Sequence, residues 1–156
     1  MRVDTGISLE YFCTYRGRLK APLDLGTGPF GQRLVFEVLD GEVEAEGIKG
    51  TILSGGGDWM LVGPDGWARL DVRAQFVLDD GAGLYGSYHG FLEVNEAVQR
   101  WLASDVGTGF GDHYFRTSPR FETGDERYAT LTRTLYVGEG RLLPERTVEY
   151  QVYRVT

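Results

Sequence analysis

The sequence is poor in the residues that most often carry metals, disulfides and membrane segments. Among 156 residues it has one cysteine, Cys13, and two histidines, His89 and His113. A single cysteine cannot form an internal disulfide, and a reducing cytoplasm is the expected compartment. Neither histidine has a cysteine or acidic neighbour at metal-ligand spacing, so we expect no metal and no other cofactor. No apolar run has the length of a signal-peptide core or a membrane span.

Basic residues are also scarce. The 16 lysines and arginines are outnumbered by 23 acidic residues, giving a net charge of −7. Phosphate binding needs a dense basic face, so nucleic acid is excluded as a partner, and an anionic membrane surface would repel the chain. The hydrophobic fraction of 42% is that of an ordinary globular protein, and the length predicts one domain over residues 1–156.

Glycine, by contrast, is abundant and marks turns. Asp40-Gly41, Asp65-Gly66 and Asp80-Gly81 each separate runs of strand-forming residues, which predicts tight hairpin turns. The stretch "SGGGDW" lacks the lysine and the following helix of a phosphate loop, so a bend is expected there. No G-x-S-x-G motif occurs, and a covalent nucleophile is not indicated.

The segments between turns read as strands. Along Trp67–Asp79 small and apolar side chains alternate with Arg69, Asp71, Arg73 and Gln75, the period of a β-strand. Nine such strands are predicted: Ser8–Leu19, Arg33–Leu39, Ile48–Ser54, Trp59–Val62, Trp67–Asp79, Ala82–His89, His113–Ser118, Tyr128–Val137 and Thr147–Val155. Strands in series tend to close and so remove exposed edges, which favours an all-β, single antiparallel β-barrel over a sandwich. One short helix follows Asn95, with Trp101 on its buried face as a plug at one barrel end.

The charged face of the long strand is the first candidate site. Asp71 and Arg73 lie on one face together. If that face points into the barrel, the enclosed pair has a perturbed proton affinity and Asp71 can act as a general acid or base. If it points outward, the pair is solvated and structural. The sequence leaves both interpretations open.

Two neighbouring segments add polar groups that can bind a ligand. Tyr85, Ser87 and His89 share one face of their strand, and Tyr114 shares a face with Arg116. Arginine can hold a carboxylate through two parallel hydrogen bonds. The alternative is a structural ion pair between Arg116 and Glu122 or Glu126.

A tryptophan, Trp59, and an aspartate, Asp58, follow the three glycines, where a hairpin would place them at the barrel rim. The tryptophan either closes a core or stacks on a ligand. The nine tyrosines suit a lumen with flat walls and polar tips, which is typical of a site for an aromatic or polyketide-like ligand.

Four stretches, in order along the chain, resemble the domain-of-unknown-function 3237 family, also called UPF0311. They are "LEYFCTY", "GGGDWMLVGPDGWARLDVRAQFVLDDGAGLY", "YFRTSPRFETGDERYATLTRTLYVGEG" and "VYRV". The resemblance implies a calycin-like barrel with a central cavity. By position it carries over Asp58, Trp59, Asp71, Arg73, Tyr85, Tyr114, Arg116, Pro119, Phe121, Glu122 and Thr123. The chain departs from the family after Tyr85, where it reads "GSYHGF", so the cavity mouth is expected to differ.

The expectation is therefore a cofactor-independent lyase, isomerase or cyclase acting on a small aromatic or polyketide-like carboxylate or enol. We expect Arg73 and Arg116 to stabilise an anion, and Asp71 or Glu122 to transfer the proton. Tyr85 and Tyr114 would donate hydrogen bonds to the substrate. Trp59 would stack on its ring. The alternatives are a lipocalin-like carrier without catalysis and a structural module that binds a partner protein. A remaining sheet edge and an apolar outer face would suit a homodimer.

Overall fold

Ten strands and two short helices make up the fold in a computed structural model that describes residues 4–156. The strands are β1 Leu9–Leu19, β2 Leu23–Gly28, β3 Gly31–Ala45, β4 Ile48–Ile52, β5 Gly57–Val62, β6 Trp67–Leu78, β7 Gly83–Glu93, β8 Phe115–Glu122, β9 Tyr136–Leu143 and β10 Thr147–Val155. The helices are α1 Glu96–Ser104 and a 3₁₀ helix, Glu126–Arg133.

All strand pairings are antiparallel, and they close into an eight-position barrel. β1 pairs with β10 on one side and with β3 on the other, which joins the two ends of the sheet. β4 and β5 share one position between β3 and β6, and β2 pairs with the first part of β3. The predicted antiparallel barrel is confirmed. Within residues 4–156, no helix has the length and apolarity needed to cross a membrane.

Two of the three predicted Asp-Gly turns are present and the third is wrong. Gly66 and Gly81 have φ angles of +79° and +89°, which glycine adopts without strain. Asp40 and Gly41 instead lie inside β3. A Cβ at Gly41 would stand 2.1 Å from the carbonyl oxygen of Arg16, so glycine here allows close approach of β1 rather than a turn.

The predicted strand Tyr128–Val137 is also wrong, because most of it is the 3₁₀ helix. Asp125 caps that helix by accepting a hydrogen bond from the main-chain N–H of Arg127 at 3.0 Å, and its carboxylate also pairs with the Arg127 guanidinium. The Tyr128 hydroxyl donates to Asp80 in the turn between β6 and β7. These side-chain contacts stabilise a turn conformation where the β-propensity pattern alone predicts a strand.

Helix α1 forms where it is predicted. The Asn95 side chain accepts a hydrogen bond from the N–H of Val98 at 3.2 Å, satisfying one free donor of the first turn. Trp101 is buried, and its indole N–H donates to the carbonyl of Leu143 in β9 at 2.7 Å. The helix therefore closes one end of the barrel with an apolar ring held by a hydrogen bond.

Candidate functional site

Strand β6 shows which face of the sheet points inward. Leu70 and Val72 are buried in the lumen, whereas Asp71 and Arg73 point to the outside. Of the two interpretations that the sequence leaves open for this pair, the structure has the outward, solvated one. Alternation puts the apolar residues in the core, because burying two charges costs far more than leaving them in water.

Most of the other expected site residues share that outer surface. Exposed or half-buried on it are Trp59, Tyr85, Ser87, His89, Tyr114, Arg116 and Glu122. The sheet register places Asp71 opposite His89 and Arg73 opposite Ser87. Arg116 has neither Glu122 nor Glu126 as its ion-pair partner; its guanidinium lies 3.7 Å from Glu139 of β9.

Several of these outer residues do contact one another. The Arg73 guanidinium lies over the Trp59 ring, 5.2 Å from its centroid, and 3.8 Å from the Asp71 carboxylate. The same carboxylate is 3.6 Å from Nε2 of His89. The structure thus brings these four side chains together, but in solvent, where charge pairs are screened and contribute little.

Asp58 is the exception, and it lies inside the barrel. It is only 7% exposed, although its neighbour Trp59 points outward, since successive residues of a strand face opposite sides. In the register of the sheet it stands between Phe36 of β3 and Val72 of β6. Its Oδ1 accepts one hydrogen bond, from the main-chain N–H of Asp71, at 3.1 Å.

Burial raises the pKa of the Asp58 carboxyl from 3.8 to about 7. The hydrogen bond from the Asp71 N–H lowers the pKa, the negative charge of Asp71 raises it again, and the positive charge of Arg33 lowers it slightly. Loss of hydration is the largest of these effects, because a carboxylate in an apolar lumen has little to replace water. The carboxyl is therefore close to half-protonated near neutral pH.

Three buried tyrosines surround the same part of the lumen. The ring centroid of Tyr15 is 5.1 Å from that of Tyr150 and 6.1 Å from that of Tyr88, and Tyr88 and Tyr150 are 5.2 Å apart. Burial raises the pKa of all three phenols, and the charge of Asp58 raises the pKa of Tyr88 and Tyr150 further. The three hydroxyls are therefore neutral donors at any physiological pH.

The lumen contains small cavities in a row. The central one, about 40 Å³, is lined by Asp58 and all three tyrosines. A second, about 30 Å³, lies towards α1 and shares Asp58 and Tyr150 with the first, with Trp101 in its wall. A third of about 30 Å³ lies towards the 3₁₀ helix beyond Tyr15. Each is large enough for water rather than for a drug-sized ligand.

Sequence reasoning named Asp58 but missed Tyr15, Tyr88 and Tyr150 as site residues. Tyr88 and Tyr150 lie on the apolar faces of their strands, where the sequence pattern indicates core packing. The sequence signal for such a residue is a tyrosine on the apolar face of a strand, as Tyr150 is between Val148 and Val152. A buried tyrosine must bring its polar group into the interior, which marks the lumen as partly polar.

The chemistry open to this cluster is proton transfer and hydrogen bonding. Among residues 4–156, no three His, Cys, Asp or Glu side chains lie close enough to hold a metal ion. Burial raises the pKa of the Cys13 thiol to about 12, so its nucleophilic thiolate does not form near neutral pH. The Asp58 carboxyl, whose pKa burial raises to about 7, is the group in this cluster best suited to proton transfer.

Comparison with protein families gives one match that spans almost the whole chain. The family model described as a protein of unknown function, DUF3237, matches residues 7–155. A UPF0311 protein of Rhodopseudomonas palustris is 32% identical over 146 residues, which is 91% of this chain and 93% of that protein. Its crystal structure, also of unknown function, superposes with a TM-score of 0.87 at 30% identity, covering 98% of this chain and 100% of that one.

Two further solved structures share the barrel. A β-barrel-like protein of Acinetobacter baumannii has a TM-score of 0.81 at 28% identity, with all of both chains covered. An enzyme from Penicillium herquei has a TM-score of 0.72, covering 100% of this chain and 99% of that one. Its identity is 16%, so the likeness is one of fold.

Proposed function

Given that the chain belongs to the DUF3237 (UPF0311) family, we propose that it is a cofactor-independent enzyme. Its substrate is a small, enolisable aromatic or polyketide-like molecule that reacts inside the barrel, as a lyase, isomerase or cyclase substrate would. The observation that carries this proposal is the buried Asp58 carboxyl with a pKa of about 7, next to three tyrosines. The Penicillium herquei protein supports the class, since this fold carries an enzyme there.

Asp58 is the proton-transfer group in this proposal. A general acid or base is most effective when its pKa is near the working pH, because both protonation states are then populated. An ordinary exposed aspartate is ionised and weakly basic at pH 7. The hydrogen bond from the Asp71 N–H orients the carboxyl and leaves its second oxygen for a substrate proton.

The tyrosines stabilise the charge that proton removal creates. Abstraction of a proton next to a carbonyl produces an enolate oxygen, which needs hydrogen-bond donors already in position. Tyr88 and Tyr150 remain protonated because burial raises their pKa, and they line the same cavity as Asp58. The Tyr15 hydroxyl is buried beside that of Tyr88 without a well-formed hydrogen bond to it, so a ligand that enters can take its donor.

The size of the lumen limits the substrate and its entry. The central and α1-side cavities share Asp58 and Tyr150, so the Asp58 carboxyl lies between the two cavities along the barrel axis. A ring-sized substrate must displace side chains or water from both. The wall on the α1 side, with Trp101, is the segment whose movement would open the lumen, since α1 is a short helix packed on the barrel end.

The proposal can be tested without knowing the natural substrate. A panel of aryl β-keto esters and β-keto carboxylates is incubated in D₂O, and exchange at the carbon between the carbonyls is followed by proton NMR. We expect the wild type to accelerate exchange of at least one member, and Asp58→Asn to lower that rate by about 100-fold or more. Asp71→Asn is the matched control: it removes one carboxylate on the outer face, keeps the main-chain N–H that bonds Asp58, and should retain most of the wild-type rate.

Equal rates in the wild type and Asp58→Asn would contradict the proposal. The carrier function remains as a second candidate because the cavities are enclosed and mainly apolar in lining. Saturable binding of a panel member, with resonances of Tyr88 and Tyr150 shifted but no exchange, would favour the carrier over the enzyme.

A further inference from the structure

A separate groove lies on the outer surface of the sheet, across β6, β7 and β8. Its volume is about 470 Å³, within the range of small-molecule sites. Its lining includes Arg69, His89, Phe91, Arg116 and Ser118. These side chains point away from the lumen, so the groove is separate from the Asp58 cavity.

The sheet register arranges the groove as two facing pairs. Phe91 of β7 stands directly opposite Arg116 of β8, and His89 stands opposite Ser118. Directly opposed side chains on one face of a sheet lie about 5 Å apart at Cβ, close enough for one small molecule to contact both pairs. Gly90, between His89 and Phe91, faces inward, and its lack of a side chain lets β7 approach the main chain of β8 closely beneath the groove.

Phe91 offers an apolar surface that the fold does not use. It is 53% exposed, on a strand whose inward neighbour Leu92 is buried. An exposed phenyl ring beside a cleft favours contact with another flat apolar group. The ring therefore provides one half of a recognition site.

Arg116 provides the other half. Its Nη1 donates to the carbonyl of Phe115 at 3.0 Å, and its Nη2 lies 3.7 Å from Glu139, beyond hydrogen-bond distance. The guanidinium carbon lies over the Tyr114 ring, 5.3 Å from its centroid, a cation–π contact. Glu139, directly opposite in the register, is thus an ion-pair neighbour without a hydrogen bond, and a bound carboxylate would share the guanidinium with it through the donors not bonded to Phe115.

The other charged groups at the groove are already engaged. Arg69 donates to both carboxylate oxygens of Asp65, at 2.8 and 3.3 Å, and so adds little net charge. His89 lies 3.6 Å from the Asp71 carboxylate, much as Arg116 lies 3.7 Å from Glu139, but an imidazole is charged only when protonated, whereas a guanidinium is always charged. Arg116 is thus the permanent cation of the groove that can offer donors to an anion.

We propose that this groove binds a small aromatic carboxylate, with the ring against Phe91 and the carboxylate on Arg116. The Ser118 hydroxyl adds a hydrogen bond to the same carboxylate. The match is one of charge and shape: a cation with free donors and an exposed ring lie opposite each other across one cleft. This site is independent of the reaction proposed for the lumen.

The test uses 2-naphthoate as the probe and 2-naphthamide as its neutral counterpart. Amide shifts of the ¹⁵N-labelled full chain are followed during titration. We expect 2-naphthoate to shift residues of β7 and β8 around Gly90, and 2-naphthamide to bind at least about tenfold more weakly, since one charge-assisted contact is worth roughly that factor.

Variants identify the residues that bind the probe. Arg116→Gln should weaken 2-naphthoate by about tenfold, and Phe91→Ala should weaken both probes. Arg120→Gln is the matched control, an arginine on the same strand and face that does not line the groove, and should bind normally. Asp58→Asn should also bind normally, which separates this site from the lumen. The spectrum of each variant reports whether it folds.

Three results would overturn the proposal. One is equal binding of 2-naphthoate by the wild type and Arg116→Gln. Another is shifts confined to lumen residues and lost in Asp58→Asn. The third is a change in the groove amide shifts with protein concentration when no probe is present. In that case the groove would bind a second copy of the chain.

Discussion

The pKa of an aspartate shifts in opposite directions on the two faces of the barrel sheet. Asp65 lies outside, where Arg69 holds it and lowers its pKa to about 2. Asp58 lies inside, where burial raises its pKa to about 7. Outside, an aspartate gains a partner and keeps water; inside, Asp58 has lost water and gained one main-chain N–H. The difference shows that burial, rather than residue type, determines the proton affinity of these two carboxyls.

The outer face nevertheless holds most of the reactive residue types. Trp59, Asp71, Arg73 and His89 contact one another there, and Arg116 lies in the groove on the same surface. Solvent keeps their charges screened, so they suit recognition of an anion better than proton transfer. The proposed reaction site and the proposed anion site thus lie on opposite sides of the barrel sheet, one inside it and one on its outer face.

The largest expected effect of this difference between the inner and outer faces is on the pH dependence of stability. With a pKa of 3.8 unfolded and about 7 folded, Asp58 makes the folded state bind an extra proton between these values. Its stabilising contribution is present at low pH and is lost as the pH rises through 7. From pH 5 to pH 8 this lowers the free energy of unfolding by about 3 kcal/mol. Urea unfolding at both pH values measures it.

In Asp58→Asn that loss between pH 5 and pH 8 should be absent, because the side chain no longer titrates. Asp71→Asn, the outer control, should keep most of the wild-type pH dependence, displaced slightly to lower pH because the Asp71 charge helps to raise the Asp58 pKa, and should differ by less than about 1 kcal/mol at either pH. The same pH dependence in Asp58→Asn and the wild type would place the titration elsewhere in the chain.

A smaller effect concerns the tyrosine hydroxyls. The Tyr15 hydroxyl is buried beside that of Tyr88 without a well-formed hydrogen bond, which leaves part of the free-energy cost of its burial uncompensated. Tyr15→Phe should therefore raise the free energy of unfolding by about 1 kcal/mol. Tyr85→Phe, on the outer face of β7, should leave it unchanged. A loss of stability in Tyr15→Phe would mean that this hydroxyl supports the fold rather than a ligand.

The sequence predicted the architecture better than the site. Alternation in Trp67–Asp79 and the cap at Asn95 specify a strand and a helix locally, and both are present. The turn predicted at Asp40-Gly41 is wrong because a glycine is found both in tight turns and where two strands approach closely. Only the position of β1 distinguishes these two cases. Tyr128–Val137 misled because contacts with Asp80 and Asp125 override its strand propensity.

The sequence predicts only part of the candidate site, because the remaining information lies in how the strands are arranged in the closed barrel. Alternation divides β6 into two faces but does not say which encloses the lumen, and a polar lumen would have required Asp71 and Arg73 to be buried. Asp58 was named from its position after the glycines. Tyr15, Tyr88 and Tyr150 converge from three separate strands, β1, β7 and β10, and that convergence exists only once the barrel has closed.

Titration of the aspartate carboxyl carbons by ¹³C NMR tests the central claim most directly. Asp65 and Asp58 are followed in the same spectrum, so one reports the exterior and the other the interior. We predict that Asp58 titrates with a pKa of about 7 and Asp65 with a pKa of about 2. An Asp58 carboxyl that titrates near 4, as an exposed aspartate does, would contradict the account.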